Sequence, residues 1–222
     1  MAKILSEPRS GKHGATVSIK SPFGQVERQW AKPANPRTAA QMRVRRSLSK
    51  YAARWRALTD AQRAAWLARA AQTRSHARLG QRGHLTGCQL YIKINCTLEA
   101  AGMDPVDLPP ERPEFRNSPV GALTITGTGD DLTLKLKVSR APAYYTMVWA
   151  TAPCSIGVNR PRRFTLLGAL PAPSAGASDI TSLYVARFGA PPATTRVFVR
   201  TCQVADGWED EPVETTAVVP AE

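Results

Sequence analysis

Hydrophobic and polar positions alternate in two short segments near the start of the chain. Residues 15–20 place apolar side chains at every second position, residues 25–30 follow a similar alternation through Val26 and Trp30, and residues 21–24 supply a turn between the two segments. A period of two is typical of β-strands, so this pattern predicts a hairpin. Residues 1–34 are therefore interpreted as a basic arm followed by a β-ribbon. Such a ribbon must pack on another surface, because an isolated one is marginally stable in water.

Helical periodicity replaces the alternation after the hairpin, with apolar side chains recurring every three or four positions. The first helix is predicted from about Arg37 to Leu58. Asn35 is its predicted N-cap and Pro36 its first helical residue, since these two types favour those positions. This helix opens a basic three-helix segment, residues 35–102.

Two further helices are predicted within this segment. Thr59 and Gln62 have the spacing of a capping box, which opens the second helix. The third helix is predicted from about Thr86 to Ala101, after a polar loop at residues 73–83. Four predicted core positions, Leu48, Tyr51, Trp55 and Leu58, continue an apolar stripe that Val44 begins on the first helix. The others are Trp66 on the second helix and Leu90 and Ile94 on the third.

The second half of the chain has the pattern of a β protein. Five prolines fall within residues 103–119 and predict an extended, semi-rigid linker. Beyond it, short alternating segments bounded by Pro and Gly turns predict strands at residues 122–126, 132–138, 144–151, 163–170, 178–188, 195–205 and 213–219. Seven such strands over residues 120–222 predict an immunoglobulin-like sandwich, with Trp149 as its core aromatic. The predicted fold class is thus α+β in two modules.

Charge separates the same two halves. Residues 1–100 hold 19 Lys and Arg against 4 Asp and Glu, a net +15, whereas residues 101–222 hold 11 against 13, a net −2. All the excess of the +13 chain therefore lies in the first half. A basic module attracts polyanions such as nucleic acid, acidic protein or anionic lipid, and the charge alone names none of them.

The first predicted helix concentrates this charge. Arg43, Arg46, Lys50 and Arg54 form a stripe about 110° round the helix from the apolar one. A solvated face without a partner is the alternative interpretation, but such faces usually mix both signs, and no acidic residue is interleaved here. The predicted residues for binding nucleic acid or an acidic partner are Arg37, Arg43, Arg46, Lys50, Arg54, Arg56, Arg63 and Arg69.

No catalytic, metal or cofactor motif stands out. His13, His76 and His84 lie in polar segments, and no glycine-rich phosphate loop is present. His84 and Cys88 are four residues apart, but two ligands alone do not make a zinc site. We therefore expect no enzyme activity, no metal and no cofactor. Free thiols are the default for the cysteines, and a pairing of Cys154 with Cys202 stays open.

Targeting patterns are also missing from the sequence. The first eight residues lack the apolar core of a cleaved secretion signal. No apolar run approaches the ~18 residues of a transmembrane helix, so no membrane partner is expected. We expect the protein in a virion or in the cytoplasm.

Residues 196–213, RVFVRTCQVADGWEDEPV, resemble the last two strands of a fibronectin type III domain. Such domains commonly carry an alternating YxVRVxAVD strand, a polar turn with glycine, and then SEPV. The resemblance implies a β-sandwich that serves as a binding scaffold, and it implies no activity.

The first half resembles a group of poorly characterised phage- and prophage-type proteins over roughly residues 10–100. The resemblance is carried by a hairpin, by residues 35–41 (NPRTAAQ, an NPRTxAQ motif), by residues 55–66 (WRALTDAQRAAW) and by residues 86–95. It implies a phage context. Residues 55–66 also resemble the helical junction of HMG boxes, which bend DNA through the minor groove. The helix comparable to the first of that box follows the other two here, so the resemblance implies only a shared helical hairpin.

These observations predict a non-enzymatic structural or assembly protein. The favoured hypothesis is a phage-type virion component, in the capsid or tail, whose basic half docks on an acidic protein surface or packaged nucleic acid. The partners would then be other virion or assembly proteins, and a homo-oligomer stays open. The alternative is a DNA-binding architectural protein, and an adhesion protein that uses the sandwich is a third hypothesis.

Overall fold

The fold combines α-helices with antiparallel β-sheets, none of which closes into a barrel in the described parts of the chain. The computed structural model describes residues 2–3, 9–21, 24–32, 35–74, 83–161, 163–171 and 175–221. The chain divides into two compact units, residues 1–92 and 93–222. The predicted turn at residues 22–23, the main part of the predicted loop at residues 75–82, His76 among them, and most of the first eight residues lie outside the described residues.

The predicted hairpin of the first unit is confirmed, and it belongs to a larger sheet. The strands are β1 (Ala2–Lys3), β2 (Gly11–His13), β3 (Thr16–Ser21) and β4 (Gly24–Gln29), paired antiparallel in the order β1-β4-β3-β2. Residues predicted as a basic arm thus supply both outer strands. Gly14, at φ +59°, lets the chain turn directly from β2 into β3. This tight turn explains why the arm is part of the sheet.

Three helices follow: α1 (Ala39–Ala57), α2 (Asp60–Ala71) and α3 (Gly87–Ala100). The predicted capping box of α2 is confirmed: the Thr59 hydroxyl accepts from the Gln62 amide at 3.3 Å, and Gln62 Oε1 accepts from the Thr59 amide at 2.8 Å. Two donors at the helix start that would otherwise lack partners are thereby satisfied.

The predicted start of α1 is wrong. Its N-cap is Thr38, whose hydroxyl accepts from the Gln41 amide at 3.3 Å, and neither Asn35 nor Pro36 belongs to the helix. Arg37 has φ +49°, so the backbone leaves the helical region just before the cap. Thr38 and Gln41 repeat the Thr-x-x-Gln spacing of α2, and this local signature outweighs the Asn-Pro pair.

Aromatic rings form the core of the first unit. Tyr51, Trp66, Leu90 and Tyr91 are fully buried. The centroid of the Tyr91 ring lies 5.3 Å from that of Trp66, in an edge-to-face arrangement, and 5.5 Å and 6.4 Å from the ring centroids of Trp55 and Tyr51. The predicted core residues Tyr51, Leu58, Trp66 and Leu90 are thus confirmed, while Trp55 is half-buried.

Leu48 is the exception among the predicted core residues of the first unit. It is 54% exposed, and Val44, one turn earlier on the same stripe, is 66% exposed. The prediction that Leu48 is a core residue is therefore wrong. α1 has 19 residues, whereas α2 has 12, and the buried residue of α1, Tyr51, lies in the second half of the helix. Periodicity identifies the apolar face of a helix, but not how far a partner covers it.

The unit boundary falls within α3, about ten residues before the segment predicted as a linker. In the second unit, the Asn95 side chain accepts from the Val106 amide at 2.8 Å and donates to its carbonyl at 3.1 Å. The Trp208 indole N–H donates to the Pro110 carbonyl at 3.3 Å. The proline-rich segment is thereby attached to its own unit. Ile94, a predicted core residue, is fully buried in this unit.

Two antiparallel sheets enclose the main core of the second unit. Its strands are β5 (Val120–Thr126), β6 (Thr133–Val138), β7 (Tyr145–Ala150), β8 (Thr165–Ala169), β9 (Gly176–Asp179), β10 (Arg196–Ala205), β11 (Trp208–Glu209) and β12 (Val213–Val218). One sheet has the order β5-β6-β9 and the other β11-β10-β7-β8, with β12 also paired to β10. Leu134 and Leu136 of the first sheet share one buried cluster with Val148 and Val199 of the second.

The strand predicted at residues 178–188 is wrong over most of its length. Only Gly176–Asp179 is extended, and the rest is the helix α4 (Thr181–Phe188). The Asp179 carboxylate accepts from the Thr181 amide at 2.8 Å and so helps to start this helix. Ile180 and Tyr184 are fully buried in the core, four residues apart, and this spacing suits a helix as well as the alternation suited a strand.

Trp149 is not the core aromatic that the pattern predicted. It is half-buried and lies outside the core cluster, whereas its strand neighbours Val148 and Ala150 belong to that cluster. Both faces of β7 are largely buried, with Met147 on the side of Trp149, so alternation could not identify the core side. Tyr184 of α4 takes the predicted role, and its hydroxyl donates to the Thr151 carbonyl at 3.1 Å.

Candidate anion-binding surface

The cationic residues of α1 make up the main candidate site. The helix, described along its whole length, has no Asp or Glu, and its basic residues are Arg43, Arg45, Arg46, Lys50, Arg54 and Arg56. Arg45 is absent from the predicted set because it lies off the predicted stripe. Its place on the helix changes the shape of the site.

The cations lie on both sides of the apolar stripe. At about 100° per residue, Arg43 and Arg45 flank Val44 on opposite sides of the helix. Arg46 and Lys50 fall on the same face as Arg43, and Arg46 lies on the far side of the helix, about 160° from Val44 and Leu48. Because Val44 and Leu48 are exposed, the first half of α1 presents an uncovered apolar ridge with Arg43 on one side and Arg45 on the other. The sequence predicted the ridge to be buried and the charge to lie on one side only.

The local electrostatics favour an anionic ligand. Arg43, Arg45 and Arg46 are exposed, and the ion pairs among the described residues do not include them. Arginine remains charged at every physiological pH. Exposed cations without neighbouring carboxylates produce a positive potential that attracts anions.

The other predicted binding residues are arranged differently. Arg37 precedes α1, and Arg56 lies in its last turn. Arg63 of α2 pairs with Asp60 at 2.7 Å, so its charge is compensated locally. Arg69 is half-buried in the last turn of α2. The main cluster of exposed arginines in the helical part therefore consists of Arg43, Arg45 and Arg46 of α1.

The sheet of the first unit carries exposed residues that the sequence did not single out. Trp30 and Ile19 are exposed, and the Lys12 ammonium lies 3.9 Å from the centre of the Trp30 ring. A cation over an indole is a stabilising contact. The alternating pattern of the hairpin located these strands, but it could not show which face of the sheet is covered.

The described residues offer little for covalent or metal chemistry. No group of three His, Cys, Asp or Glu among them could hold a metal ion. Burial raises the pKa of the Cys202 thiol to about 12, so this thiol stays protonated at neutral pH. An open depression of about 570 Å³ in the second unit is lined by Asp179, Thr181 and apolar neighbours, without a histidine or a cysteine.

The four cysteines are free thiols. Cys154 lies opposite Arg196 of β10, whereas Cys202 lies six residues further along that strand, opposite Met147. Six residues of a strand span roughly 20 Å, which is far beyond the reach of a disulfide. The pairing that the sequence left open does not occur in this fold.

Comparison with known proteins identifies no relative of this chain. No protein-family model matches it, and neither does any curated protein or solved structure. Within the described ranges, no helix has the length and apolar character needed to cross a membrane.

Proposed function

We propose that this chain is a non-enzymatic assembly protein of the phage-virion type, whose α1 surface docks on an anionic partner. The observation that carries the proposal is the uncovered first half of α1, where exposed Val44 and Leu48 lie between arginines and no acidic residue is present on the helix. A long helix left bare on its apolar face gains stability when a partner covers it. The virion setting, in a capsid or tail, comes from the NPRTxAQ resemblance.

The second unit supports this proposal as a scaffold of the fibronectin type III kind. Its first, second and fifth strands, β5, β6 and β9, face a sheet built from β8, β7, β10 and β12. Two antiparallel sheets over one core, in this order, resemble the fibronectin type III arrangement. Helix α4, between β9 and β10, is a departure from that pattern. Such a scaffold positions binding surfaces and needs no catalytic site.

Particle composition tests the setting. In purified virions of the phage or prophage that encodes the chain, mass spectrometry is expected to find it at a fixed copy number relative to the major shell protein. Its absence from the particles, with the chain present in the infected cell, contradicts the virion setting. Particles from which the gene has been deleted serve as the control.

Removal of the α1 charge tests the docking surface. The triple substitution Arg43→Gln, Arg45→Gln and Arg46→Gln in the full chain is expected to weaken binding to short duplex DNA and to polyglutamate at least tenfold at low salt. If each arginine contacts a phosphate, the slope of log K against log salt for DNA falls by about 0.9 per contact. Isothermal titration at two salt concentrations measures both effects.

A matched control separates the site from total charge. Substituting glutamine for Arg160, Arg163 and Arg187, which are exposed in the second unit, removes the same charge elsewhere. We expect this control to change affinity by less than a factor of three. Equal losses from both triples would mean that binding follows net charge, and the docking surface would then be wrongly placed.

The alternative function is that of a DNA-binding architectural protein with an HMG-like helical hairpin. The observation in its favour is the α1–α2 pair, whose Trp55 and Trp66 both contact Tyr91 and whose charged residues are mostly arginine. Arginine-rich faces contact mostly backbone phosphates, so little base preference is expected. Duplex bending, measured by energy transfer between end labels, distinguishes this function from simple anion binding.

A further inference from the structure

Charge alone does not account for the α1 surface. Val44 and Leu48 are one helical turn apart, about 6 Å along the axis, and both are mostly exposed. Cations that only neutralise phosphates need no apolar side chains between them. The ridge formed by Val44 and Leu48, with Arg43 on one side and Arg45 on the other, therefore provides apolar contacts to a partner in addition to the charge.

We propose that this face, Val44 and Leu48 with Arg43 and Arg45 on its two sides, docks an acidic amphipathic helix of a partner protein. The inference rests on the proposed function and narrows its anionic partner to one class of macromolecule. Two observations carry it: the exposure of an apolar pair at i, i+4 spacing, and the absence of Asp and Glu from α1 beside these arginines.

The spacing suits a helix as the occupant. Side chains at i and i+4 form a ridge, and such ridges pack into the grooves between the corresponding residues of a second helix. Peptide helices that bind this way present apolar anchors at i, i+3, i+4 and i+7. Val44 and Leu48 supply the ridge for one turn of such a contact.

The charges select an acidic occupant. Arg43 and Arg45 lie on opposite edges of the ridge, where the residues flanking a helical seam form interhelical ion pairs. Guanidinium groups bind carboxylates in a bidentate geometry that a helix bearing Glu or Asp at those positions can meet. A basic helix would place like charges against the arginines, and a neutral helix would leave the arginines without carboxylate partners, so both bind less favourably.

Two other anionic surfaces fit the ridge less well. A membrane-binding helix buries a broad apolar face, but Tyr51 and Leu58, the next members of the α1 stripe, are already buried within the protein. Duplex DNA is contacted mainly at its phosphates, which the arginines can reach without an exposed aliphatic pair between them. Both remain as outcomes of the test.

The test compares defined probes on the full chain. The main probe is a helical peptide with Leu at i, i+4 and i+7 and Glu at the flanking positions. The others are the same peptide with Ser in place of Leu, a 20-base-pair DNA duplex, and vesicles of phosphatidylcholine with phosphatidylserine. The variants are Val44→Ser with Leu48→Ser, the arginine triple described above, and Val185→Ser as an exposed apolar control from α4.

We expect the leucine peptide to bind at least tenfold more tightly than the serine peptide. The Val44→Ser, Leu48→Ser protein should lose this tenfold preference, keep its affinity for DNA within a factor of two, and keep its melting temperature, because both residues are exposed. The arginine triple should weaken binding to both peptides. Val185→Ser should behave as the wild type.

The remaining outcomes separate the inference from the proposed function. Equal binding of the leucine and serine peptides overturns the acidic-helix inference. The inference also fails if the Val44→Ser, Leu48→Ser protein still prefers the leucine peptide but loses its binding to DNA or to vesicles. In those cases the anion-binding surface stands, provided that the arginine triple still weakens binding. If the arginine triple changes binding to none of the probes, the proposed docking function fails as well.

Discussion

Replacement of Trp66 by alanine is expected to cost about 3–5 kcal/mol in the free energy of unfolding. Trp66 is fully buried, and its ring meets the edge of Tyr91, which also contacts Tyr51 and Trp55. The change therefore opens a cavity where four rings converge, and stiff aromatic neighbours are poorly able to fill it. Since whole domains are stable by about 5–15 kcal/mol, we expect loss of most helical structure at moderate denaturant.

Urea denaturation followed by circular dichroism at 222 nm measures this effect without relying on the lost indole. Leu67→Ala is the matched control, because Leu67 is the next residue of α2 and is 56% exposed. We expect the control to cost less than about 1 kcal/mol, as surface substitutions usually do. Similar costs for the two variants would contradict the aromatic core described for the first unit.

Local chemistry explains why much of the helical part could be predicted. The spacing of Thr59 and Gln62 alone predicts the start of α2, and Tyr51 and Leu58 are correctly assigned to the core. Leu48 belongs to the same stripe and is exposed, because burial depends on the length of the neighbouring helices. Periodicity is a property of one element, whereas coverage is a property of the assembled unit.

The second unit shows the same division between local and assembled properties. Alternation located β6 to within a residue, since its side chains sort strictly between a buried and an exposed face. It failed at α4, where Ile180 and Tyr184 match a helical period as well as a strand, and where the Asp179 carboxylate accepts from the Thr181 amide at the start of the helix. It also misplaced Trp149, because both faces of β7 are covered.

The candidate site could be predicted in composition but not in shape. Arg43, Arg46 and Lys50 share a helical face, and their spacing alone places them there. Arg45 lies on the side of Val44 opposite Arg43, and it becomes part of the candidate site only because Val44 is exposed. The sequence offered no indication of that exposure, because the same residue on a longer bundle would be a core position.

Substitution of alanine for Gly207 is expected to cost about 2–5 kcal/mol, from two additive causes. Asp206 and Gly207 form the two-residue turn between β10 and β11, and both have positive φ, +50° and +77°. A β-carbon at Gly207 would also lie 2.6 Å from Ile94 Cγ2 and 2.8 Å from the Ile94 carbonyl oxygen. Because one of these contacts is with the backbone of α3, movement of the Ile94 side chain cannot relieve it, and the turn and the helix must separate.

Gly102→Ala isolates the second cause. Gly102 has a similar φ, +74°, at the end of α3, where the Met103 amide donates to the Leu98 carbonyl, but a β-carbon there would meet nothing within 4 Å. Its substitution should cost only the left-handed backbone term of about 1–2 kcal/mol. The excess for Gly207→Ala, measured by urea denaturation of both variants, then reports the crowding of about 1–3 kcal/mol against Ile94. Equal losses would mean that the turn yields without cost, and that the close approach of Gly207 to α3 does not help to hold the second unit together.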